Sequence, residues 1–526
     1  MSVHGRIAPP EGHGEVLCDP PYADWAGLVL ANRVSVQDWP DTLRSLRAEA
    51  CADVLEAADA YSRARGIADL VDKDAARPIV MTGHQPELYH PGVWVKDFLL
   101  DLLASEVDAA AIDLVVDTDK ASALSLGIPR LGPPVDVQTA TLAPEAVGSF
   151  CQASVPDEAA RAAFRVEGVR ALSELPAPAL AHHFESFCDA IDEAAAVADD
   201  RADLMTIARR VFESAAGSAY LELPVSHMAR MPSFGRFAES IVAEAERFRS
   251  SMNAALGGYR ERTATRSAAQ PFPDLEAEGD LVELPFWLLR DGRRERVWAH
   301  AAGGLHAGEG EDRQPVWMPG DTGAVEGLSA HRWVLAPKAL TLTLFARLFA
   351  SDLFIHGTGG GRYDRVTDAV IRTYYGVEPP RYVVASMTLL LPLGAHVATA
   401  EEVSALTRAL HRLEHNPDAM LDEVEFDDDD EYLAARALAE EKTALVEAIG
   451  QPDADRKRIG TRIREVNASL AELLEPVAAD LRLRLDRARS AHDAAEVLMD
   501  RTYAYCLWDP REVMDKVRWP RHPARG

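Results

Sequence analysis

Arg77-Pro-Ile-Val-Met-Thr-Gly-His-Gln-Pro-Glu-Leu-Tyr-His-Pro-Gly-Val-Trp-Val-Lys96 is the stretch on which the fold turns. Ile79, Val80 and Met81 form a short apolar run, the pattern of a parallel strand covered on both faces. Thr82 and Gly83 end it, and Pro86 and Pro91 keep the next residues out of helix. From Val93 onward Trp94, Val95, Phe98, Leu99, Leu102 and Leu103 mark one face of a helix. Asp113-Leu-Val-Val116 then reads as a second strand, ending at Asp117-Thr-Asp-Lys120. Strand, loop, helix, strand is a βαβ unit, and ligands bind beyond the carboxyl ends of such strands. The loop that lands there holds Gly83, His84, Gln85, Tyr89 and His90, with Lys96 one turn into the helix.

Working outward, residues 1–40 are rich in Pro and Gly and read as an irregular lead-in, followed by helix over 39–64. After the second strand, Ile128-Pro-Arg-Leu-Gly-Pro-Pro134 suits neither helix nor central strand. Ala-rich helix dominates from 144 to 210 and helix returns over 235–262, so a helical insertion is expected around 144–262. The 268–275 segment is a loop, 283–288 a strand, and the Gly-rich 300–325 segment a surface hairpin. A second α/β block follows. Trp333-Val-Leu335 is strand-like and leads through Lys338 into an apolar helix. Leu353-Phe-Ile355 is a strand running into His356-Gly-Thr-Gly-Gly-Gly-Arg-Tyr-Asp364, then helix, and a further strand begins at Tyr382.

The last 130 residues differ in kind. An acidic tract at Asp427–Asp430 leads into helices over 431–449 and 456–503. In the second, Ile459, Ile463, Val466, Leu470, Leu473 and Val477 repeat by fours and threes, an a/d seam that slips at Leu481, with Pro476 a point of kinking. The expected product is an antiparallel helical hairpin. Its seam serves either a homodimer or the hairpin's own core. The expected division is therefore an α/β core over 1–395, with a Rossmann-like parallel sheet, and a C-terminal helical coiled-coil region over 396–526.

Composition narrows the function classes. The 526 residues suffice for two or three domains and one large core. Mean hydropathy of -0.13 is ordinary for a globular protein. With 84 acidic against 55 basic residues, the net charge of -29 repels nucleic acid and anionic membrane surfaces. Five scattered cysteines without a CxxC pair fit a reducing cytosol. No apolar run approaches the ~20 residues of a membrane span. The expectation is a cytoplasmic protein that takes small molecules, with neither nucleic acid nor membrane as partner.

Three constellations carry chemistry. In the first, a loop opening a helix offers free N–H groups to an anion, His84 or His90 can hydrogen-bond it, and Lys96 can neutralise it. Alternatively the two histidines cap the helix and tie down the loop. Zinc on His84, His90 and Asp117 matches no close-paired metal spacing, so no metal is assigned. In the second, Asp117 and Asp119 bind a substrate amine or hydroxyl, orient a metal–phosphate, or cap a helix. In the third, His356, Gly357, Gly359, Gly360 and Gly361 let backbone approach a ligand, and Arg362 offers a bidentate pair, with Lys338 as a further phosphate partner. The bland reading is a tight turn without ligand. This segment is neither a Walker A loop nor a full G-x-G-x-x-G fingerprint.

Thr82-Gly-His-Gln-Pro-Glu-Leu-Tyr89 resembles the T-G-Q-Q-x-G-L-F segment of the bacillithiol-biosynthesis cysteine-adding enzymes, and the order of parts along the chain is similar. The resemblance implies a nucleotidyltransferase-like core, a ligase joining cysteine to an amino-sugar acceptor, and dimers through the coiled coil. By position it implies site residues Gly83, His84, Gln85, Asp117, Asp119, Gly357, Gly359 and Gly360. His84 stands where the family has its first glutamine, and Gly357-Thr-Gly-Gly-Gly361 replaces its later G-G-P-G-E turn. The leading expectation is a ligase using ATP, ADP or another nucleotide, with His84 or His90 as acid or base. The alternatives are a nucleotidyltransferase activating a small acid or sugar, and a catalytically silent nucleotide-binding scaffold.

Overall fold

The computed structural model describes residues 7–67, 77–132, 135–265, 267, 272–318, 323–394, 398–423, 429–451 and 453–518. The chain divides into two compact units. The first comprises 1–128, 138–391 and 501–526, the second 129–137 and 392–500.

A six-stranded sheet is the frame of the first unit. From edge to edge it runs Val16–Asp19, Val383–Met387, Leu353–His356, Ile79–His84, Ala110–Val115 and Leu221–Pro224. Val16–Asp19 is antiparallel to its neighbour, and the other five strands are parallel. Their side chains are almost all buried, as continuous apolar runs require when both faces are covered. Side chains sew the centre together. Thr82 Oγ1 donates to the Ile355 carbonyl at 2.8 Å, and the Asp352 carboxylate accepts from Ile79 N at 2.9 Å while pairing with buried Arg47. In chain order the parallel strands stand fifth, fourth, first, second, third. The order therefore reverses between Leu353–His356 and Ile79–His84, and an open α/β sheet leaves a crevice at such a reversal.

The helix after the first parallel strand is Pro91–Val107, with Trp94, Val95, Phe98, Leu99 and Leu103 buried as the spacing predicts. It packs on the Ile79–His84 and Val383–Met387 strands. His90 caps it, Pro91 takes a first-turn position where no N–H is needed, and Asp108 ends it in the left-handed region at φ 52°. The Asp41–Ala64 helix packs against the Leu221–Pro224 edge, and Thr358–Val370 against the Leu353–His356 and Val383–Met387 strands.

A second sheet is antiparallel throughout: Gln314–Trp317, Leu305–Ala307, Arg293–His300, Leu281–Arg290 and Val334–Pro337, with Ala277–Glu278 also pairing Leu281–Arg290. One apolar core joins the sheets, running from Ile79, Ile112 and Leu223 to Phe286, Leu288 and Val297.

Several expectations need correcting. The 144–262 region is not a purely helical insertion, because Leu221–Pro224 within it supplies an edge strand of the parallel sheet. Of the expected Trp333-Val-Leu335 strand, Val334 and Leu335 belong to the antiparallel sheet, since a lone apolar run carries no record of its partner. The proline-rich 128–134 stretch does not end extended structure. Leu124–Arg130 pairs with Asp136–Ala143 as a two-stranded ribbon, where Pro129 has no inner ladder to break. The 300–325 hairpin is present, though Leu305 and Ala307 are buried. Of the expected 268–275 loop, residues 268–271 lie outside the described residues, as do Asp427 and Asp428 of the acidic tract.

The 392–500 part of the second unit is helical: Ala400–His415, Asp429–Ile449, Arg456–Leu473 and Glu475–Asp493. The expected 456–503 helix is broken at Leu474, with Pro476 in the first turn of a new helix, a position that tolerates its missing N–H. Val466 and Leu470 of the seam are buried with Leu413, Met420, Ala435 and Ala478. The hairpin's own core is thus what these seam residues serve. From Arg501 onward the chain groups with the first unit, so the C-terminal region expected over 396–526 splits there.

Candidate functional site

Beyond the carboxyl ends of the Ile79–His84, Ala110–Val115 and Leu353–His356 strands lies a cavity of about 710 Å³. Gly83, His84, Gln85, Thr118 and Asp119 form one side, and His356 and Gly360 another. The antiparallel sheet adds Glu283, Trp287, Arg294 and Arg296, and Lys338 opens the next helix. Leu114, Val116, Met252, Leu256, Phe272, Leu340 and Phe354 give it an apolar lining, the mix of many apolar groups and a few polar ones typical of small-molecule sites.

The structure thus brings together Gly83, His84, Gln85, Asp119, Lys338, His356 and Gly360. It does not bring the rest of the expected set to the wall. Lys96 is buried and donates to Thr82 Oγ1 at 3.0 Å and the Gly83 carbonyl at 2.8 Å, so it pins the strand end. His90 Nδ1 accepts from Gly92 N at 3.0 Å, the capping alternative. Tyr89 hydroxyl is bound by Arg209 at 2.7 Å. Asp117 is buried and accepts from Ser226 N at 2.9 Å, capping the short Val225–Met228 helix, and burial raises its carboxyl to about 7. Arg362 and Gly359 are exposed and Gly361 is buried, and none of the three, nor Gly357, lies on the wall. Of the two histidines expected as acid or base, His84 lies on the cavity wall and His90 does not.

His84 is tuned away from proton transfer. Burial, then the Lys96 ammonium, lower it to about 3. Its Nδ1 lies 3.2 Å from the Gln85 carbonyl, which can only accept, so Nδ1 carries the proton and Nε2 is bare. A neutral imidazole whose unfolded counterpart titrates near pH 6.5 contributes stability that is whole above that pH and lost as pH falls toward 3. Asp117 works the other way, its contribution being lost as pH rises toward 7, but it is common to wild type and to a His84 variant. On acidification from pH 6 to pH 4, the stability gap between wild type and His84→Gln should narrow by roughly 1.4 kcal/mol per pH unit. Urea unfolding at several pH values reads this, and a constant gap contradicts it.

His356 is arranged for chemistry. Its Nε2 lies 2.8 Å from Asp364 Oδ2, and Arg347 Nη1 donates to the same oxygen at 2.6 Å. Burial pushes the Asp364 carboxyl up, but Arg347 and then His356 hold it well below the usual carboxylate range. The ionised carboxylate accepts only, so Nε2–H faces it and Nδ1 is the nitrogen left toward the cavity side of the ring. That nitrogen lies beside Gly360, where an added Cβ would come within 2.8 Å of it. A carboxylate-oriented imidazole with its second nitrogen open is the arrangement of a general base.

Gly360 and its neighbours sit in the first turn of the Thr358–Val370 helix, whose N-cap, Gly357, provides no side-chain hydrogen bond. The first N–H groups of such a helix lack intrahelical partners and favour anions. Each glycine has its own reason. A Cβ at Gly361 would collide with Val384 on the neighbouring strand, whereas one at Gly359 would meet open space. Gly361→Ala should therefore lose about 1–3 kcal/mol, and Gly359→Ala should gain up to ~1 kcal/mol through helix propensity. Melting temperatures check the pair.

The antiparallel sheet supplies a ladder of charge that the sequence reading did not include. Asp119 accepts from Gln85 Nε2 at 2.9 Å and from Arg294; burial raises its carboxyl, but Gln85, Lys120 N–H and Arg294 together bring it below its ordinary value. Arg294 and Lys338 each lie 4.6 Å from the Trp287 ring. Lys338 and Arg296 both bind Glu283. Burial pulls the Lys338 ammonium down against the pull of Glu283. The only hint in the sequence was alternation, which puts Arg294 and Arg296 on one side of a strand. Finally, Thr341, one of the residues around the cavity, is fully buried and its Oγ1 has no hydrogen-bond partner among the described residues.

No protein-family profile matches the chain, and no curated protein matches it.

Proposed function

We propose that the cavity is the active site of a nucleotide-linked ligase of small molecules, similar to the cysteine-adding enzymes in its Thr82–Tyr89 segment. One observation carries the reading. The His84–Gln85 loop and the His356–Gly360 turn, far apart in sequence, open on one cavity where the order of the parallel strands reverses. Strand order five-four-one-two-three supports a doubly wound, Rossmann-like reading, and the reversal is where such sheets take nucleotides.

In this reading the phosphates meet the N-terminus of the Thr358–Val370 helix and the Thr341 hydroxyl, which otherwise stays unpaired. The second substrate is zwitterionic. Its ammonium group faces Asp119 or Glu283 and its carboxylate faces Arg294 or Lys338, an alternation of charge that the ladder offers and a plain anion hole lacks. His356, held by Asp364, takes the proton from the acceptor's amine as that nitrogen attacks the carboxyl carbon of the zwitterion, which the nucleotide has activated; the new C–N bond forms as the C–O bond to the phosphate or nucleotide breaks and that group leaves. Charge developing on the acyl or phosphoryl group is met by the helix N–H groups and by the cations of the ladder.

The test is a thermal-shift screen across ATP, ADP, CTP, amino acids and amino sugars, followed by calorimetry. ATP or ADP should raise the melting temperature. Thr341→Val should be about as stable as wild type or more so without ligand, because an unpaired buried hydroxyl is removed, yet should bind the nucleotide roughly 5-fold to 10-fold more weakly. No shift with any nucleotide sinks the reading. Pyrophosphate release without an amino-acid product would move it to a nucleotidyltransferase.

A further inference from the structure

Behind the wall formed by His84 and Gln85 is a second, smaller space of about 10 Å³, bounded also by Asp113, Thr206, Arg209 and Tyr505. Its surroundings are densely charged. Arg209 donates to Tyr89 and Asp97 through Nη1 and to Asp113 Oδ2 and Glu222 through Nη2. Yet two atoms of bounding residues are unmatched: Asp113 Oδ1 and Thr206 Oγ1 have no hydrogen-bond partner among the described residues, although both side chains are buried. An unsatisfied buried polar atom costs about 1–3 kcal/mol. Two beside one polar chamber point to something that satisfies both. The volume matches one water, whose natural setting is a polar pocket with two to four partners. A metal ion fits less well, because the Arg209 guanidinium borders the same space and no group of three potential ligands occurs among the described residues. His84 also bounds the space; its Nδ1 is committed to the Gln85 carbonyl, and no hydrogen bond is found for its Nε2 among the described residues.

We propose that this chamber is the binding site of a single internal water. It accepts from Thr206 Oγ1–H, donates one hydrogen to Asp113 Oδ1 and donates the other to His84 Nε2. Thr206 and Asp113 are then positioning residues that act through the water. They fix the imidazole that walls the main cavity and join it to the buried charge cluster around Arg209. The assignment is independent of what the main cavity binds.

The experiment is a high-resolution crystal structure of the full chain, with parallel crystals soaked in thallium(I). One light peak within hydrogen-bond distance of Asp113 Oδ1, Thr206 Oγ1 and His84 Nε2, without anomalous signal, is the expected result. An empty chamber, a peak that does not reach His84, or a thallium signal there overturns the proposal. Thr206→Val gives a second readout with a definite sign. A hydroxyl that bridges to water makes the valine variant melt below wild type, with Thr206→Ser restoring it, whereas a truly unpaired hydroxyl makes valine melt higher. The nitrogen chemical shift of the His84 ring should change in Thr206→Val and return in Thr206→Ser. An unchanged shift overturns the link to His84.

Discussion

Arg209→Met is expected to lose about 3–5 kcal/mol of unfolding free energy, a large share of what a domain usually has. The guanidinium is the hub of a buried cluster in which Nη2 binds Asp113 at 2.9 Å and Glu222, and Nη1 binds Asp97 at 3.2 Å. Methionine fills similar space but leaves three carboxylates without their common partner. Burial already pushes the Asp97 and Glu222 carboxyls well up, with Arg209 the first influence lowering each. Without it both should hold protons more firmly. A group with raised folded-state affinity for protons contributes stability at low pH that is lost as pH rises. The variant should therefore recover part of its deficit at pH 5 relative to pH 7.5. Arg209→Lys restores one charge but not the fork, and should fall between wild type and methionine. Chemical denaturation followed by circular dichroism measures all three, and a methionine variant within 1 kcal/mol of wild type, roughly the net worth of one hydrogen bond, contradicts the assignment.

His356→Ala should lower turnover by roughly 100-fold to 10,000-fold, the range for loss of a positioned acid–base group, with a lowered melting temperature but a folded protein, because Arg347 still binds Asp364. The measurement uses the nucleotide and acceptor identified by the ligand screen. Asp364→Asn tests the orientation separately. An amide can present its N–H to Nε2 and so favour the wrong tautomer, giving a comparable loss in turnover together with an altered pH profile. Because Arg347 also donates to Asp368 at 2.7 Å, the asparagine variant leaves that arginine partly paired and should still fold. Gly360→Ala is a steric counterpart, its Cβ arriving within 2.8 Å of His356 Nδ1. A His356→Ala protein with full turnover would remove the base and leave the cavity as a binding site only.

How far the sequence reached follows from which signals are local. Ile79–His84, the proline-guarded loop and Pro91–Val107 were legible because each is written in consecutive residues: an apolar run, two prolines, a 3.6-residue stripe. The turn at His356 was legible through its glycines. The ladder at Arg294, Arg296, Trp287 and Glu283 was not, because charged residues alternating along an antiparallel strand look the same whether they face water or a ligand. Lys96 and His90 misled for the opposite reason. Their residue types and place in the loop suited a ligand, but the strand-end oxygens of Thr82 and Gly83 and the Gly92 N–H claimed them first. The 501–518 segment shows another limit, since Tyr505-Cys-Leu-Trp508 reads as apolar without saying what it packs against.

What it packs against has a consequence for how the protein is made. Tyr505 lies fully buried among Tyr89, Trp94, Phe187 and Phe212, and its amide donates to the Tyr89 carbonyl at 2.8 Å. A ribosome delivers that aromatic plug only after the whole 392–500 helical unit has been synthesised. Until then the cluster of Tyr89, Trp94, Phe187 and Phe212 lacks one of its rings, so this part of the α/β core can be completed only after residues 392–500 have been made.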